Sequence, residues 1–326
     1  MLRLSPCTAS FPATIDEALA EKAAHGQAAS YVAGGTDLYP NMKRRVQTPT
    51  HVIDIRGIPE LRQLETLSDG RLAVGSCVTL TELIRHPAVR KGWPVVSHAA
   101  ALISTPLLQN MGTIGGNLLL DTRCNYYDQG YEWRKAIDFC MKKDGDTCWV
   151  APSSPRCWAV QSSDLVPVMV ALDASMRFEG PDGARMVRAR DLYLNDGIEF
   201  LAKRPEELLT TVELPPLAGA RASYQKLRRR GSFDFPVLGV AAWARMNGGT
   251  TVSEARIVIG AVGSAPLVSD EAARSLVGKA LSDEAIDEAA RLAARPAKPL
   301  DNTDFTIGWR KDMVPVYLRR ALEALR

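Results

Sequence analysis

The chain has 326 residues, 46% apolar and 24% charged, which at roughly 150 residues per domain allows about two packed cores. Its 40 basic and 37 acidic residues leave a formal charge of +3, which gives no electrostatic reason to expect nucleic acid or an anionic membrane as the main partner. No uncharged apolar run approaches the roughly 18 residues of a membrane span, and the first 20 residues lack the apolar centre of a secretory leader, so the expectation is a cytoplasmic protein.

Taken in chain order, Thr14–Glu17 has the form of a capping box, with Ile15, Leu19 and Ala23 following at helical spacing. Ala29–Ala33 reads as a strand stopped by Gly34-Gly35, and His51–Ile55 as a second, a βαβ-like rhythm. Arg71–Gly75 followed by the capping box Thr79–Glu82 repeats that idea, and Val95–Leu102 reads as a buried helix. Residues 121–160 break the pattern. They hold four of the six cysteines, three tryptophans and three tyrosines, with poor apolar periodicity, and read as an insertion with its own organising centre. Leu165–Leu172 resumes a buried run, and Leu208–Leu214 is a strand ending at Pro215-Pro216. The Pro, Gly and Ala content of Pro215–Ala222 suggests a domain boundary. Val237–Ala244 and Ala255–Ile259 predict an antiparallel sheet, and Ser282–Ala294 and Val314–Leu325 predict helices.

There is no G-x-G-x-x-G, Walker loop, H-E-x-x-H or G-x-S-x-G, and no acid/base constellation, so no catalytic residue is expected here. The histidines His25, His51, His86 and His98 lie far apart in sequence and read as structural. Two glycine turns remain. Tyr31-Val32-Ala33-Gly34-Gly35-Thr36-Asp37-Leu38 follows a strand, and its glycines allow backbone N–H groups to cradle a diphosphate; a tight strand-to-helix turn is the plain alternative. Thr113-Ile114-Gly115-Gly116-Asn117 is a second turn of the same kind. Cys124, Cys140, Cys148 and Cys157 are spaced by 16, 8 and 9 residues. Four thiolates suit an iron–sulfur cluster or zinc, although zinc usually draws on C-x₂₋₄-C pairs; buried cysteines acting as small hydrophobes are the third possibility. Lys226 ends the alternating run Tyr224-Gln225-Lys226, from which it could face a pocket.

Together the motifs YVAGGTDL (31–38), TIGGN (113–117), SSDLVPVMVALDA (162–174), PEELLTTVELP (205–215) and YQKLRRR (224–230) resemble the flavoprotein subunits of the xanthine dehydrogenase / molybdenum hydroxylase family. The resemblance implies an α+β fold: a PCMH-type FAD-binding domain of two α/β subdomains over 1–217, then a smaller α+β domain of the CO dehydrogenase flavoprotein C-terminal type over 218–326. Tyr31 through Leu38 would wrap the FAD diphosphate, and Thr113 through Asn117 would form a second cradle with backbone and side-chain donors. Ile103 would approach the isoalloxazine, Asp164 would hydrogen-bond the flavin or its ribityl chain, Leu209 would line the ring, and Lys226 would sit near its polar edge.

The insertion is similar to that of the 4-hydroxybenzoyl-CoA reductase branch, which implies that Cys124, Cys140, Cys148 and Cys157 ligate a [4Fe–4S] cluster. That branch further implies an oxidoreductase complex with a molybdenum-cofactor large subunit and a small subunit bearing two [2Fe–2S] clusters, as a dimer of heterotrimers. Electrons from ferredoxin would pass through [4Fe–4S] and FAD to reductive dehydroxylation of 4-hydroxybenzoyl-CoA. Two alternatives remain: a hydroxylase acting on an aromatic or N-heterocyclic substrate with electrons flowing outward, and a zinc-stabilised assembly module without a redox role.

Overall fold

The computed structural model describes residues 3–326. Three sheets organise it. β1 (Thr8–Ser10), β2 (Ala29–Val32) and β3 (His51–Asp54) form a parallel sheet in the order β1-β3-β2. The βαβ-like rhythm read over 29–55 is met by β2 and β3, parallel with the short helix Leu38–Lys43 between them, and the helix Ile15–His25 links β2 to β1, a strand the sequence reading did not expect. The cap of Ile15–His25 is half of the box expected: Thr14 Oγ1 accepts from Glu17 N, but Glu17 Oε2 reaches past Thr14 to Ala13 N at 2.7 Å. Gly26, at φ +54°, ends the helix.

β4 (Leu64–Thr66), β5 (Leu72–Gly75), β6 (Ser175–Gly180), β7 (Gly183–Arg188) and β8 (Leu208–Leu214) form a second sheet, ordered β4-β5-β8-β6-β7 and antiparallel throughout. The second strand–helix repeat expected around Arg71–Glu82 is therefore not a βαβ unit. Leu72–Gly75 pairs antiparallel with Leu214–Thr211, far along the chain, a partner that local periodicity cannot reveal. The helices Leu80–Arg85, Pro94–Ala101 and Leu165–Ala171 pack on this sheet and share its core. The last of these is apolar on every side because it is covered on every side; all seven of its residues are buried.

The third sheet, β12-β11-β10-β9, is antiparallel: β9 (Arg221–Leu227), β10 (Leu238–Asn247), β11 (Thr251–Gly260) and β12 (Leu267–Val268). The helices Asp270–Leu276, Asp283–Ala294 and Ile307–Glu323 cover one of its faces through a separate core. The last helix starts seven residues before the expected Val314, because Thr306 caps Trp309 N and Arg310 faces inward. The other face contributes Tyr224, Ala241, Trp243 and Val258 to the core of the second sheet, so the two domains are packed into each other.

Candidate functional site: a flavin cavity and a four-cysteine chamber

A cavity of about 1020 Å³ runs between the three sheets, at the upper end of what small-molecule sites enclose. Both glycine turns lie on its wall, as do Ile103, Asp164 and Leu209. Each turn is pressed against neighbouring backbone, the first against Met111 just before the second turn and the second against Ser76. A Cβ on Gly34 would stand 1.8 Å from Met111 O, and one on Gly115 would stand 2.7 Å from Ser76 O. Gly35 adopts φ +67°, where a side chain would also run into the Tyr39 ring. The backbones approach so closely that no other residue fits at 34 or 115.

The two turns differ in what they offer a ligand. The N–H groups of Gly34, Gly35, Thr36 and Asp37 donate to no backbone or side-chain acceptor among the described residues, which leaves a run of free donors facing a cavity. In the second turn Ile114 N donates to Val78 O, Gly115 N to Ser76 O, Gly116 N to Thr113 Oγ1 and Asn117 N to Thr113 O. These four donors are spent inside the fold, and through them the turn contributes shape and close approach. The Asn117 Oδ1 is occupied too, accepting from Ser163 Oγ at 2.7 Å and Leu165 N at 3.3 Å. Ile114 is core and does not reach the cavity.

Asp164 lies on the wall at the start of the helix Leu165–Ala171. Its Oδ1 accepts from Tyr224 Oη at 2.9 Å and its Oδ2 from Lys226 Nζ at 2.8 Å. Lys226 stands behind Asp164, off the cavity wall, and also donates to Leu102 O at 2.9 Å. The expected place at the polar edge of a ligand thus passes from Lys226 to the carboxylate it holds. Burial pushes the Asp164 carboxyl up from its ordinary range and the Lys226 ammonium down, and their mutual attraction partly offsets both shifts.

The insertion folds around its cysteines. Cys124, Cys140, Cys148 and Cys157 are all buried and wall one small chamber with Tyr126, Tyr127 and Lys142. Three of them open tight turns: Tyr127 N donates to Cys124 O, Lys143 N to Cys140 O, and Ala151 N to Cys148 O. Cys157 is seated from outside the insertion, where a Cβ on Gly197 would come within 2.6 Å of its Sγ. Asp138 and Phe139, just before Cys140, and Asp144, just after it, hold positive φ, so the loop that aims this cysteine carries backbone strain. Arg134, completely buried, braces the loop through Arg45 O and the rings of Tyr131 and Phe139. Burial pushes the Cys124 thiol up to about 12 and the Cys157 thiol up to about 11. Thiols raised in this way, as at Cys124 and Cys157, are poor thiolates unless a cation compensates them.

A tetrahedral zinc, at about 2.3 Å from each sulfur, would draw the sulfurs to about 3.8 Å of one another. Among the described residues no three of the cysteine sulfurs lie within 4.8 Å of one another; the trio of potential ligands that does is Glu21, His25 and His51.

That trio corrects the reading of the histidines as far apart. His25 and His51 stack with ring centroids 3.8 Å apart and planes within 7°. His51 is nevertheless satisfied, with Nδ1 2.7 Å from Thr8 Oγ1 and Nε2 3.0 Å from Ser10 Oγ, and it ties β1 to β3.

The large cavity and the cysteine chamber share a wall. Cys124 lines both. Beside it Arg123 pairs with Asp37 of the first glycine turn and stacks on Phe235, 4.5 Å from the ring centroid. Sequence reading missed Arg123, Phe233, Phe235, Ser76 and Ser104 on the large cavity and Lys142 on the small one, since nothing local marks them.

Residues 6–217 match the family model of the FAD binding domain in molybdopterin dehydrogenase, and residues 222–325 match that of the CO dehydrogenase flavoprotein C-terminal domain. The chain is 32% identical over 313 residues to the carbon monoxide dehydrogenase medium chain of Afipia carboxidovorans, covering 96% of this chain and 94% of that one. It is 35% identical over 248 residues to the aldehyde oxidoreductase FAD-binding subunit PaoB of Escherichia coli, covering 73% and 76%. Carbon monoxide dehydrogenase from Hydrogenophaga pseudoflava superposes with a TM-score of 0.80 at 28% identity, covering 99% of this chain and 98% of that one. With its free-donor turn on a cofactor-sized cavity, the chain belongs to the FAD-binding subunits of the molybdenum hydroxylase family, alongside the carbon monoxide dehydrogenase medium chains.

Proposed function

We propose that this chain is an electron-transfer subunit holding both FAD and a [4Fe–4S] cluster, in a molybdenum enzyme that oxidises an organic substrate. The observation that carries this reading is the shared wall: four buried cysteines surround one chamber, and Cys124 also lines the flavin cavity. FAD, when bound, supplies one- and two-electron transfer. The residues supply placement. The free amides of Gly34–Asp37 would take the diphosphate, Thr113–Asn117 would close against it, Ile103 and Leu209 would cover apolar ring surface, and Asp164 would be the buried polar contact. Cys124, Cys140, Cys148 and Cys157 would hold the cluster, and the surrounding aromatic residues would keep water from it. No proton-transfer constellation is needed on this chain, since the substrate would be handled by a molybdenum-bearing large subunit. A small subunit with two [2Fe–2S] clusters would connect the two, as a dimer of heterotrimers. The relatives are named as dehydrogenase, oxidoreductase and hydroxylase subunits, which supports oxidation with electrons leaving through this chain.

The four-cysteine insertion also supports a second reading, reductive dehydroxylation of 4-hydroxybenzoyl-CoA with ferredoxin as donor. The complex purified anaerobically decides between them. We expect one FAD, with four irons and four labile sulfides on this chain, and turnover of an aldehyde or N-heterocycle with an oxidising dye. Turnover of 4-hydroxybenzoyl-CoA with a reduced low-potential dye would establish the second reading. Zinc in place of iron would remove the cluster from both.

A further inference from the structure

Lys142 and Asp121 form an ion pair, Nζ to Oδ1 2.7 Å, with side chains only 6% and 11% exposed. The two ends of the pair face different chambers. Lys142 lies on the wall of the cysteine chamber, and Asp121 lies on the wall of the flavin cavity. Neither end is free to swing. Lys142 Nζ donates to Asp121, to Thr122 Oγ1 and to Gly197 O, and lies 4.7 Å and 5.4 Å from the ring centroids of Tyr127 and Phe200. Asp121 Oδ2 accepts from Tyr127 Oη at 2.8 Å and from Gln47 Nε2 at 3.1 Å. The polarity of the pair is therefore fixed, positive toward the cysteines and negative toward the flavin. Burial keeps solvent ions from screening it.

We propose that the Lys142–Asp121 pair is a built-in electrostatic bias that raises the potential of the cysteine-bound centre and lowers that of the flavin. An electron added to a four-thiolate centre increases an existing negative charge, and a fixed ammonium beside it stabilises that state. An electron added to the flavin meets a fixed carboxylate. The bias favours electrons moving from the flavin cavity to the cysteine chamber, the outward direction expected of an oxidising enzyme. The lysine arm rests on the cluster reading, whereas the aspartate arm needs only the flavin. Lys142 and Asp121 are positioning residues, acting through charge without changing a bond.

Redox titration of the assembled complex tests this, with absorbance following the flavin and low-temperature paramagnetic resonance following the cluster. In Lys142→Met with full iron content, the ratio of reduced to oxidised cluster at a fixed potential should fall about tenfold, about 59 mV for a one-electron couple, and Lys142→Arg should stay near the wild type. In Asp121→Asn, which keeps the shape, the flavin couple should rise. An unmoved cluster couple in iron-replete Lys142→Met overturns the proposal. If Lys142→Met loses iron, Asp121→Asn decides alone, and an unmoved flavin couple there overturns it. A wild-type complex without iron would sink the cluster reading, while Asp121→Asn would still read the flavin arm.

Discussion

The carboxylate of Asp164 and the ammonium of Lys226 meet at 2.8 Å across the junction of the two domains, with side chains 3% and 1% exposed. The helix Leu165–Ala171 presents the acid and β9 presents the base, and Tyr224, two residues before Lys226 on the same face of β9, adds a second bond to the acid. One interaction thus closes the cavity wall and fastens the C-terminal sheet to the FAD domain.

Removing one member of such a pair leaves the other buried and uncompensated, so Lys226→Met should cost about 3–5 kcal/mol, and Lys226→Met with Asp164→Leu should recover most of it. Denaturant unfolding would measure both. The single variant should also respond to pH. A carboxyl whose folded pKa is raised by burial binds its proton more tightly folded than unfolded, so its contribution is present at low pH and lost as pH rises through the folded value. Lys226→Met should therefore be more stable at pH 5 than at pH 8. The opposite trend, or a loss under 1 kcal/mol, would mean that the pair does not hold the junction.

The contact between Gly34 and Met111 makes the first glycine turn sensitive to a single methyl group. Gly34→Ala would push the turn off the Met111 backbone, since its Cβ would overlap Met111 O, and Gly35→Val would combine a clash with Tyr39 with an unfavourable φ. Each should weaken FAD binding at least tenfold, read as loss of flavin fluorescence quenching. Gly231→Ala, where the added Cβ meets nothing within 4 Å, is the control. Full flavin occupancy in Gly34→Ala would show that the free amides of this turn are not the diphosphate cradle.

Much of this site was legible because its signals are local. A strand ending in two glycines, a second Gly-Gly turn and a cluster of cysteines are visible within short windows, and the structure brings all of them to two adjoining chambers. What escaped is what depends on tertiary pairing. β6 and β7 were missed because β6 buries only Met176 and Phe178 and β7 leaves Met186 exposed beside the buried Val187, which breaks the alternation, and β5 finds its partner in β8 across more than 130 residues. Lys142 gains its meaning from Asp121 on another turn, and His25 meets His51 only through the fold. Lys226 lies on the element expected but behind Asp164 and off the cavity wall, since an alternating pattern gives the face and not the depth.

Gly197 tests whether the cysteine chamber depends on the rest of the domain. It lies 40 residues beyond Cys157, yet its N–H donates to Cys157 O at 3.0 Å and its missing Cβ leaves room for the sulfur. On the cluster reading, Gly197→Ala should displace Cys157 Sγ and lower iron content, while FAD should stay bound, since Gly197 does not line the large cavity. Iron and flavin assays on one preparation would separate the two outcomes, and parallel loss of both would mean that the chambers form a single folding unit.

On the proposed reading, removing the metal should expose the electrostatic cost of the chamber. In protein stripped by a chelator under reducing conditions, Cys124 and Cys157 have thiols pushed up to about 12 and about 11 by burial. They should remain protonated and react slowly with iodoacetamide at pH 8, while the exposed Cys7 is labelled readily. Labelling of the pair should accelerate toward pH 11. Stability should fall over the same range, because a thiol with a raised folded pKa stabilises the fold below its ordinary value and loses that contribution as pH climbs through the folded one. Peptide mass spectrometry after timed labelling would read each cysteine separately. Rapid labelling of Cys157 at pH 8 would show that the emptied chamber opens, and that the metal, more than the fold, keeps the four sulfurs together.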